Sequence, residues 1–325
     1  MRRREFITLF CGTAATWPVL ARAQQAMPAI GVISAGEPDG FVDLLASTRL
    51  GLKDLGFIEG QNFEFAYAFA GGRFDELPNL ASDLVQRRVA VIISTGVGSG
   101  LAAKGATSTI PHVFVSQDDP VKLGFVASLN RPTGNSTGVS LLTSELAAKR
   151  VDVARQLMKK GAPLAYLMNP LAPEAPRYLL EIEAIVGELK QELVVVKAGN
   201  PEQIDAALAE VNRRRAGALI VSIDGYLFSR REQIVALVAR DRIPAVYDRR
   251  PYAVDGGLVS YGEDLAGAYR QIGVYAARIL KGEKPANLPV IQSAKFELVI
   301  NLRTAKALGI EFPPQMQALA DEVIE

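Results

Sequence analysis

The chain has 325 residues, 49% of them hydrophobic and 22% charged, with 36 Lys+Arg against 35 Asp+Glu. That length exceeds one compact core and suits two domains of about 150 residues each, and an ordinary charged fraction excludes wholesale disorder. The near-neutral balance argues against a surface built to grip nucleic acid or an anionic membrane.

Residues 1–23 read as an export signal. Arg2-Arg3-Arg4 supplies a basic start, Ile7 to Leu20 a mostly apolar run, and Ala21-Arg22-Ala23 a small-x-small cleavage pattern that leaves Gln24 as the new N-terminus. Arg3-Arg4-Glu5-Phe6-Ile7 fits the twin-arginine pattern, with Thr8 where that pattern favours Lys, so the Tat and Sec routes both stay open. Cleavage takes away four Arg and one Glu, leaving 32 basic against 34 acidic side chains, and removes Cys11 and Trp17, the only residues of their kinds. The processed chain then has no disulfide, thiol chemistry or cysteine metal site. No later apolar run reaches the ~18 residues of a membrane span. A soluble periplasmic protein is expected, with no membrane insertion of its own.

From there, short apolar β-branched runs alternate with stretches of helical period. The first half predicts strands over Ala29–Ser34, Asn62–Tyr67, Val89–Ser94 and His112–Ser116. Leu44, Leu45, Thr48, Leu52 and Leu55 share one helical face, which Gly56 terminates. Leu80 and Leu84 mark a second helix. Asn130-Arg131-Pro132-Thr133-Gly134-Asn135 is a strong loop signal. A fresh set then opens with a helix over Leu146–Lys159 and continues with strands over Leu164–Asn169, Leu193–Ala198, Ala218–Ser222, Ala245–Tyr247 and Leu258–Tyr261. Ile182, Ile185 and Leu189, and then Ile204, Leu208 and Val211, are its helical stripes. A last stripe of Leu265, Tyr269, Ile272, Ala276 and Ile279 ends at Gly282, and Leu288–Asn301 is extended. Near-continuous apolar strands separated by helices mean parallel sheets buried on both faces. The fold class is α/β, with two doubly wound, Rossmann-like lobes and a ligand cleft between the carboxyl ends of their strands. The tail serves as a return across both lobes.

Chemistry-bearing residues recur at strand exits. Ser94-Thr95-Gly96-Val97-Gly98-Ser99-Gly100 leaves a strand and opens a helix. Its glycines allow close backbone approach and the helix N-terminus offers free N–H groups to an anion. A carboxylate contact, a structural turn and a nucleotide site are all open readings, although Leu101 stands where the dinucleotide fingerprint needs its third glycine. Ser34-Ala35-Gly36 is a second exit at the same sheet edge. Gln117-Asp118-Asp119-Pro120 offers carboxylates for a ligand ammonium or for acid–base work, or else a helix cap before Pro120. Asp224 suits a cation, with Tyr226 and Phe228 walling an apolar ligand; the structural alternative has Ser229 capping a helix and Phe228 stapling it. Arg249-Arg250-Pro251-Tyr252 and Ser260-Tyr261-Gly262 add aromatics and hydroxyls at later exits.

Absences narrow the field. His112, the only histidine, sits in a strand-like run and reads as a core residue, which leaves a Ser-His-Asp triad without its base. Walker, calcium-loop and His/Cys metal patterns are missing. Arg213-Arg214-Arg215 and Arg230-Arg231 read as solvated helix faces.

The leader, Leu55-Gly56-Phe57, Val91–Ala103, Asp119-Pro120-Val121, the run from Leu129 to Gly138 and Gly256-Gly257-Leu258-Val259-Ser260-Tyr261-Gly262 resemble the solute-binding proteins of ABC importers. The similarity covers residues 28–315. It is narrower to the branch that includes tryptophan- and tyrosine-binding receptors with a periplasmic-binding-protein type I fold. The most specific stretch is Asn130-Arg131-Pro132-Thr133-Gly134-Asn135-Ser136-Thr137-Gly138, in which Thr133 occupies the free position.

The resemblance implies an N-terminal lobe of 28–138 plus 263–293 and a C-terminal lobe of 139–262 plus 294–325. It implies no enzyme activity, no cofactor and no metal, and a small-molecule solute held by Ser34, Gly36, Thr95, Gly96, Asp118, Asp224, Phe228 and Tyr252. In that assignment Thr95 and Gly96 hold a carboxylate, Asp118 or Asp224 takes an ammonium, and Phe228 with Tyr252 encloses a side chain. The expected solute is an aromatic amino acid or a related small carboxylate. Hinge closure would present the loaded protein to an ABC permease and its ATPase. A periplasmic sensing domain for a signalling receptor, or an exported α/β enzyme that turns its ligand over, is the alternative.

Overall fold

Alternating buried strands and one-sided helices resolve into two sheets. The computed structural model describes residues 27–141, 146–293 and 295–325, so the expected export signal lies outside the described residues. The first sheet takes β1 (Ala29–Ser34), β2 (Glu64–Phe69), β3 (Val91–Thr95), β4 (His112–Ser116) and β5 (Ser136–Leu141), with α1 (Val42–Lys53), α2 (Leu77–Gln86) and α3 (Val97–Ala106) between them. A second series follows: α4 (Leu146–Leu157), β6 (Leu164–Met168), α5 (Ala175–Glu188), β7 (Leu193–Lys197), α6 (Pro201–Arg213) and β8 (Ala218–Val221). It continues through α7 (Gly225–Ser229), α8 (Arg231–Arg240), β9 (Ala245–Tyr247), α9 (Arg250–Val254) and β10 (Val259–Glu263). The tail supplies α10 (Leu265–Leu280), β11 (Ile291–Ser293), β12 (Phe296–Asn301), α11 (Leu302–Leu308), α12 (Pro314–Leu319) and β13 (Glu322–Ile324).

Strand order is β11-β5-β4-β3-β1-β2 in one sheet and β13-β12-β10-β9-β8-β6-β7 in the other. Pairing is parallel except between β10 and β12, where Val259 faces Ile300. This is the α/β, two-lobed architecture that the hydrophobic pattern implies. Central strands β3, β4, β5, β6 and β8 are buried along their length, as a sheet covered by helices on both faces requires. The chain passes from one sheet to the other between Leu141 and Leu146, between Glu263 and Leu265, and between Ser293 and Phe296.

Three local expectations change. The strand expected over Asn62–Tyr67 runs instead over Glu64–Phe69. The first series does not end at Ser116: Ser136-Thr137-Gly138-Val139-Ser140-Leu141 forms β5, wholly buried. Its hydroxyls hide it from a hydrophobicity reading, yet two of them find partners only the fold provides; Thr137 Oγ1 donates to the Leu288 carbonyl at 2.7 Å, and Ser136 Oγ lies 3.3 Å from His112 Nδ1. The extended tail splits between lobes, β11 adding parallel to β5 and β12 antiparallel to β10.

Helices α1 and α10 pack at backbone distance. A Cβ placed on Gly51 would lie 1.9 Å from the Arg270 carbonyl oxygen, and one on Gly273 would lie 2.1 Å from that of Thr48. His112 is a packed core residue. It is fully buried, its Nε2 sits 2.8 Å from Ser94 Oγ, and burial lowers its pKa to about 3, so the ring stays neutral.

Candidate functional site

The carboxyl ends of both sheets meet at a narrow cavity of about 20 Å³, room for about one water molecule. The first lobe contributes Ala35 after β1, Thr95 and Gly96 after β3, Gln117 after β4, and Tyr269 from α10, with Phe41 and Phe74 as apolar walls. The second lobe contributes Glu174 at the mouth of α5, Ile223, Asp224 and Gly225 between β8 and α7, and Arg249 after β9.

On the first-lobe wall, Gly96 turns the chain into α3 with φ of 107°, a conformation that L side chains avoid. No side chain caps α3, and Val97 and Gly98 of its first turn line the cavity. That wall is therefore the positive end of a ten-residue helix.

The facing wall is acidic. Asp224 caps α7: its Oδ1 accepts the Leu227 N–H at 2.6 Å and an Asn169 side-chain N–H at 3.4 Å. Its Oδ2 is buried and has no hydrogen-bond partner among the described residues, and the same holds for Oε2 of Glu174. Burial pushes the Asp224 carboxyl up to about 6. Burial, with the neighbouring Asp224 charge adding to it, pushes Glu174 up to about 7. Arg249 does not neutralise them in an ion pair; its Nε donates to Asp248 at 2.6 Å and its guanidinium lies 4.5 Å from the Phe228 ring centre. An uncapped helix N-terminus facing two carboxylate oxygens that lack donors suits a molecule with an anionic and a cationic end.

The lobes touch around this cavity. Phe41 meets Phe228 edge-on at 5.9 Å, and Glu37 pairs with Arg230 across the gap. A Cβ on Gly36 would lie 2.6 Å from the Gly225 carbonyl oxygen of the other lobe. The same Cβ would also meet the Phe41 ring of its own lobe at 2.6 Å, so Gly36→Ala is expected to hold the lobes apart and weaken solute binding about tenfold, ~1.4 kcal/mol, with a smaller loss in unfolding of the unliganded protein. Calorimetric titration beside denaturation of the same variant checks this; equal loss in both would mean the glycine serves folding instead.

The residues singled out from sequence fall into four places. Thr95, Gly96 and Asp224 line the cavity. Ser34 and Gly36 shape its rim, the Ser34 hydroxyl accepting the Gly36 N–H at 3.1 Å. Phe228 and Tyr252 form a buried layer outside the lining, in contact with each other, and Tyr252 stacks on Tyr247 at 4.5 Å.

Asp118 stands elsewhere. It pairs with Arg177 of the other lobe and lies 3.5 Å from the Tyr178 hydroxyl, beside a wider opening of about 660 Å³. In this arrangement it bridges the lobes, so Asp224, with Glu174, is the carboxylate that faces the cavity. Asp119 caps no helix before Pro120. Its Oδ1 accepts the Val121 N–H at 2.9 Å in a turn. Ser229 is likewise no cap: it is the last residue of α7, its hydroxyl donates to the Tyr226 carbonyl at 2.7 Å, and Arg230 stands at the start of α8. Arg230, expected on a solvated face, crosses to Glu37 because α7 and α8 abut the opposite lobe.

Glu174 escaped the sequence reading. It stands five residues beyond Asn169, in a proline-rich turn with no run of like residues around it. The available signal was positional: it too follows a strand exit at the cleft. Phe41, Phe74 and Tyr269 look like core residues until the two lobes are seen together.

Two doubly wound lobes closing on a cavity at their strand ends are the architecture of the periplasmic-binding-protein type I fold. The chain belongs to the ABC transporter substrate binding protein family, whose family model matches residues 29–324. It is 23% identical over 260 residues to a tyrosine-binding protein of Clostridioides difficile strain R20291, covering 80% of this chain and 74% of that protein. Among solved structures it resembles a conserved domain protein from Vibrio cholerae O1 biovar El Tor, with a TM-score of 0.81 and 25% identity over 91% of this chain and 99% of that one. It also resembles an ABC domain from Streptococcus pneumonia in complex with L-Trp, with a TM-score of 0.78 and 21% identity over 91% and 99% of the two chains. The family is one of extracytoplasmic substrate-binding proteins rather than enzymes. No helix among the described residues is long and apolar enough to cross a membrane.

Proposed function

We propose that the protein is the solute-binding component of an ABC-type importer and captures an aromatic amino acid, or a related small carboxylate, by hinge closure. The observation that carries this reading is the opposed polarity of the two cavity walls. The α3 N-terminus, with Thr95 and Gly96, receives the carboxylate; Asp224 receives the ammonium; Phe41, Phe74 and Tyr269 supply aromatic surface. A tyrosine-binding relative and a neighbour in complex with L-Trp support the same class of solute.

In this mechanism the open protein offers both walls to solvent, and the solute bridges them and stabilises the closed form. The resemblance divides the lobes as 28–138 plus 263–293 and 139–262 plus 294–325; the passages between sheets fall slightly later, after Leu141 and after Glu263, so that β5 stays whole in the first sheet and β10 in the second. A permease reads the closed pair of lobes and its ATPase drives transfer; this chain supplies selection only. Export by the Tat or Sec route, with cleavage after Ala23, places it in the periplasm.

The test is thermal unfolding of residues 24–325 against a panel of amino acids and aromatic acids, followed by an added dye because Trp17 is lost on processing. A solute at 100 times its Kd should add about 2.7 kcal/mol, a rise of several degrees, for aromatic amino acids. Stabilisation by none of them would overturn the aromatic assignment.

A further inference from the structure

We propose that Glu174 and Asp224 together form a two-carboxylate receptor for one ammonium group, with Glu174 making the cleft select amines over their deaminated counterparts. This rests on the cleft being the solute site and adds what the site demands of its solute: a positively charged nitrogen with several N–H bonds.

Asp224 is 3% exposed, and its structural work is complete in one oxygen, Oδ1, which holds the first turn of α7. The second oxygen is buried without a hydrogen-bond partner among the described residues, on a side chain that lines the cavity. Glu174 precedes α5 but its side chain makes no cap there, and its Oε2 is buried and unpartnered as well. Neither carboxylate has an ion-pair partner among the described residues. The nearby cations are engaged: Arg249 by Asp248, and Arg177 by Asp118 and Glu181.

A neutral polyol in this space would leave two like charges lining one poorly hydrated cavity, a costly arrangement. One ammonium offers three N–H donors to the two free oxygens and neutralises one of the charges. A neutral or anionic analogue, without that nitrogen, leaves both acceptors unmatched. Sites that bind a polar group this way reject the analogue lacking it strongly.

The pair also makes capture sensitive to pH. Without solute, burial favours the protonated acids, with Glu174 near 7 and Asp224 near 6. Around them stand Arg249 between β9 and α9, Tyr269 from α10, Tyr252 from α9, and Arg177 and Tyr178 from α5. The three phenols are held above their usual range by burial and do not titrate near neutrality. Ammonium binding therefore displaces protons, and affinity rises as pH increases from 5.5 to 8.

Calorimetric titration of the purified protein with tyrosine, tyramine, 3-(4-hydroxyphenyl)propionate and 1,4-diaminobutane tests the proposal, using wild type, Glu174→Gln and Asp224→Asn at pH 5.5 and 8. Circular dichroism confirms that each variant is folded. The expected result is that the deaminated acid binds at least about 100-fold more weakly than tyrosine. Glu174→Gln should then narrow that ratio about tenfold and flatten the rise with pH. Tyramine or the diamine binding through Glu174 while tyrosine fails would keep the receptor pair and sink the aromatic amino acid. The acid binding as well as tyrosine, an unchanged ratio in Glu174→Gln, or no binding by any ammonium probe would overturn the pair.

Discussion

Asp224→Asn is expected to weaken binding of an aromatic amino acid about 100-fold, ~2.7 kcal/mol, while making the unliganded protein more stable at pH 8. The two effects have opposite signs because the two oxygens of Asp224 do different things. An asparagine carbonyl can still accept the Leu227 N–H that Oδ1 accepts at 2.6 Å, so the start of α7 is preserved. What disappears is the charge on the unpartnered Oδ2. Burial raises this carboxyl from an ordinary 3.8 to about 6 in the folded protein. A raised acid favours folding while it is protonated and loses that contribution as pH climbs from its unfolded value through its folded one, here between about 4 and 6. Above pH 6 the wild type carries a poorly solvated charge that the amide lacks, so the variant gains about 1–3 kcal/mol there and nothing at pH 4. Denaturant titrations at pH 4 and 8, set beside calorimetric titration at pH 8, read both effects. A variant that lost stability at both pH values would mark Asp224 as a structural residue and remove it from the solute site.

Gly51→Ala should cost the protein about 3 kcal/mol or more and lower its melting temperature by about 10 °C. The new Cβ would sit 1.9 Å from the Arg270 carbonyl oxygen and 2.9 Å from the Val274 nitrogen, both backbone atoms of α10. Backbone cannot rotate aside as a side chain can, so relief requires the helices to separate. Separation would open the contact around Leu44, Leu52, Ile272 and Ala276, all of them buried. The reciprocal approach of Gly273 to the Thr48 carbonyl leaves no slack on the other side. Gly105→Ala in α3 is the matched control, because a Cβ there meets nothing within 4 Å. It should raise stability by about 0.4–1 kcal/mol through the unfolded chain. Midpoints of urea unfolding compare the pair, and similar midpoints for both variants would rule out the tight crossing.

How much of the cleft can be read from residues alone depends on what each residue's role refers to. Thr95, Gly96 and Asp224 are legible because each sits just past a buried strand, where doubly wound sheets present their loops. Glu174 has the same position but lies at the end of a longer turn, and an isolated glutamate resembles any surface residue. Asp118 carries the strongest local signal, an acidic pair after a strand, yet it pairs with Arg177 from 59 positions further along the chain. Phe228 and Tyr252 have the right aromatic character, but other aromatics, Phe41 and Tyr269, reach the cavity instead.

Sequence by itself determined that this is an α/β protein with two similar lobes. Strand burial and helix amphipathicity are written in side chains two, three or four positions apart, and such neighbours interact whatever the rest of the chain does. It also determined which end of each sheet carries the polar loops. Tertiary structure alone decided that the hydroxyl-rich Ser136–Leu141 is a strand, since its partners His112 and Leu288 lie 24 and 151 residues away. It alone decided which carboxylates face the cavity and which join the lobes. Arg230 meets Glu37 across 193 residues only because two separately folded lobes close on each other. No local spacing encodes that closure, nor the cavity on which Asp224 and Glu174 each have one buried oxygen without a donor.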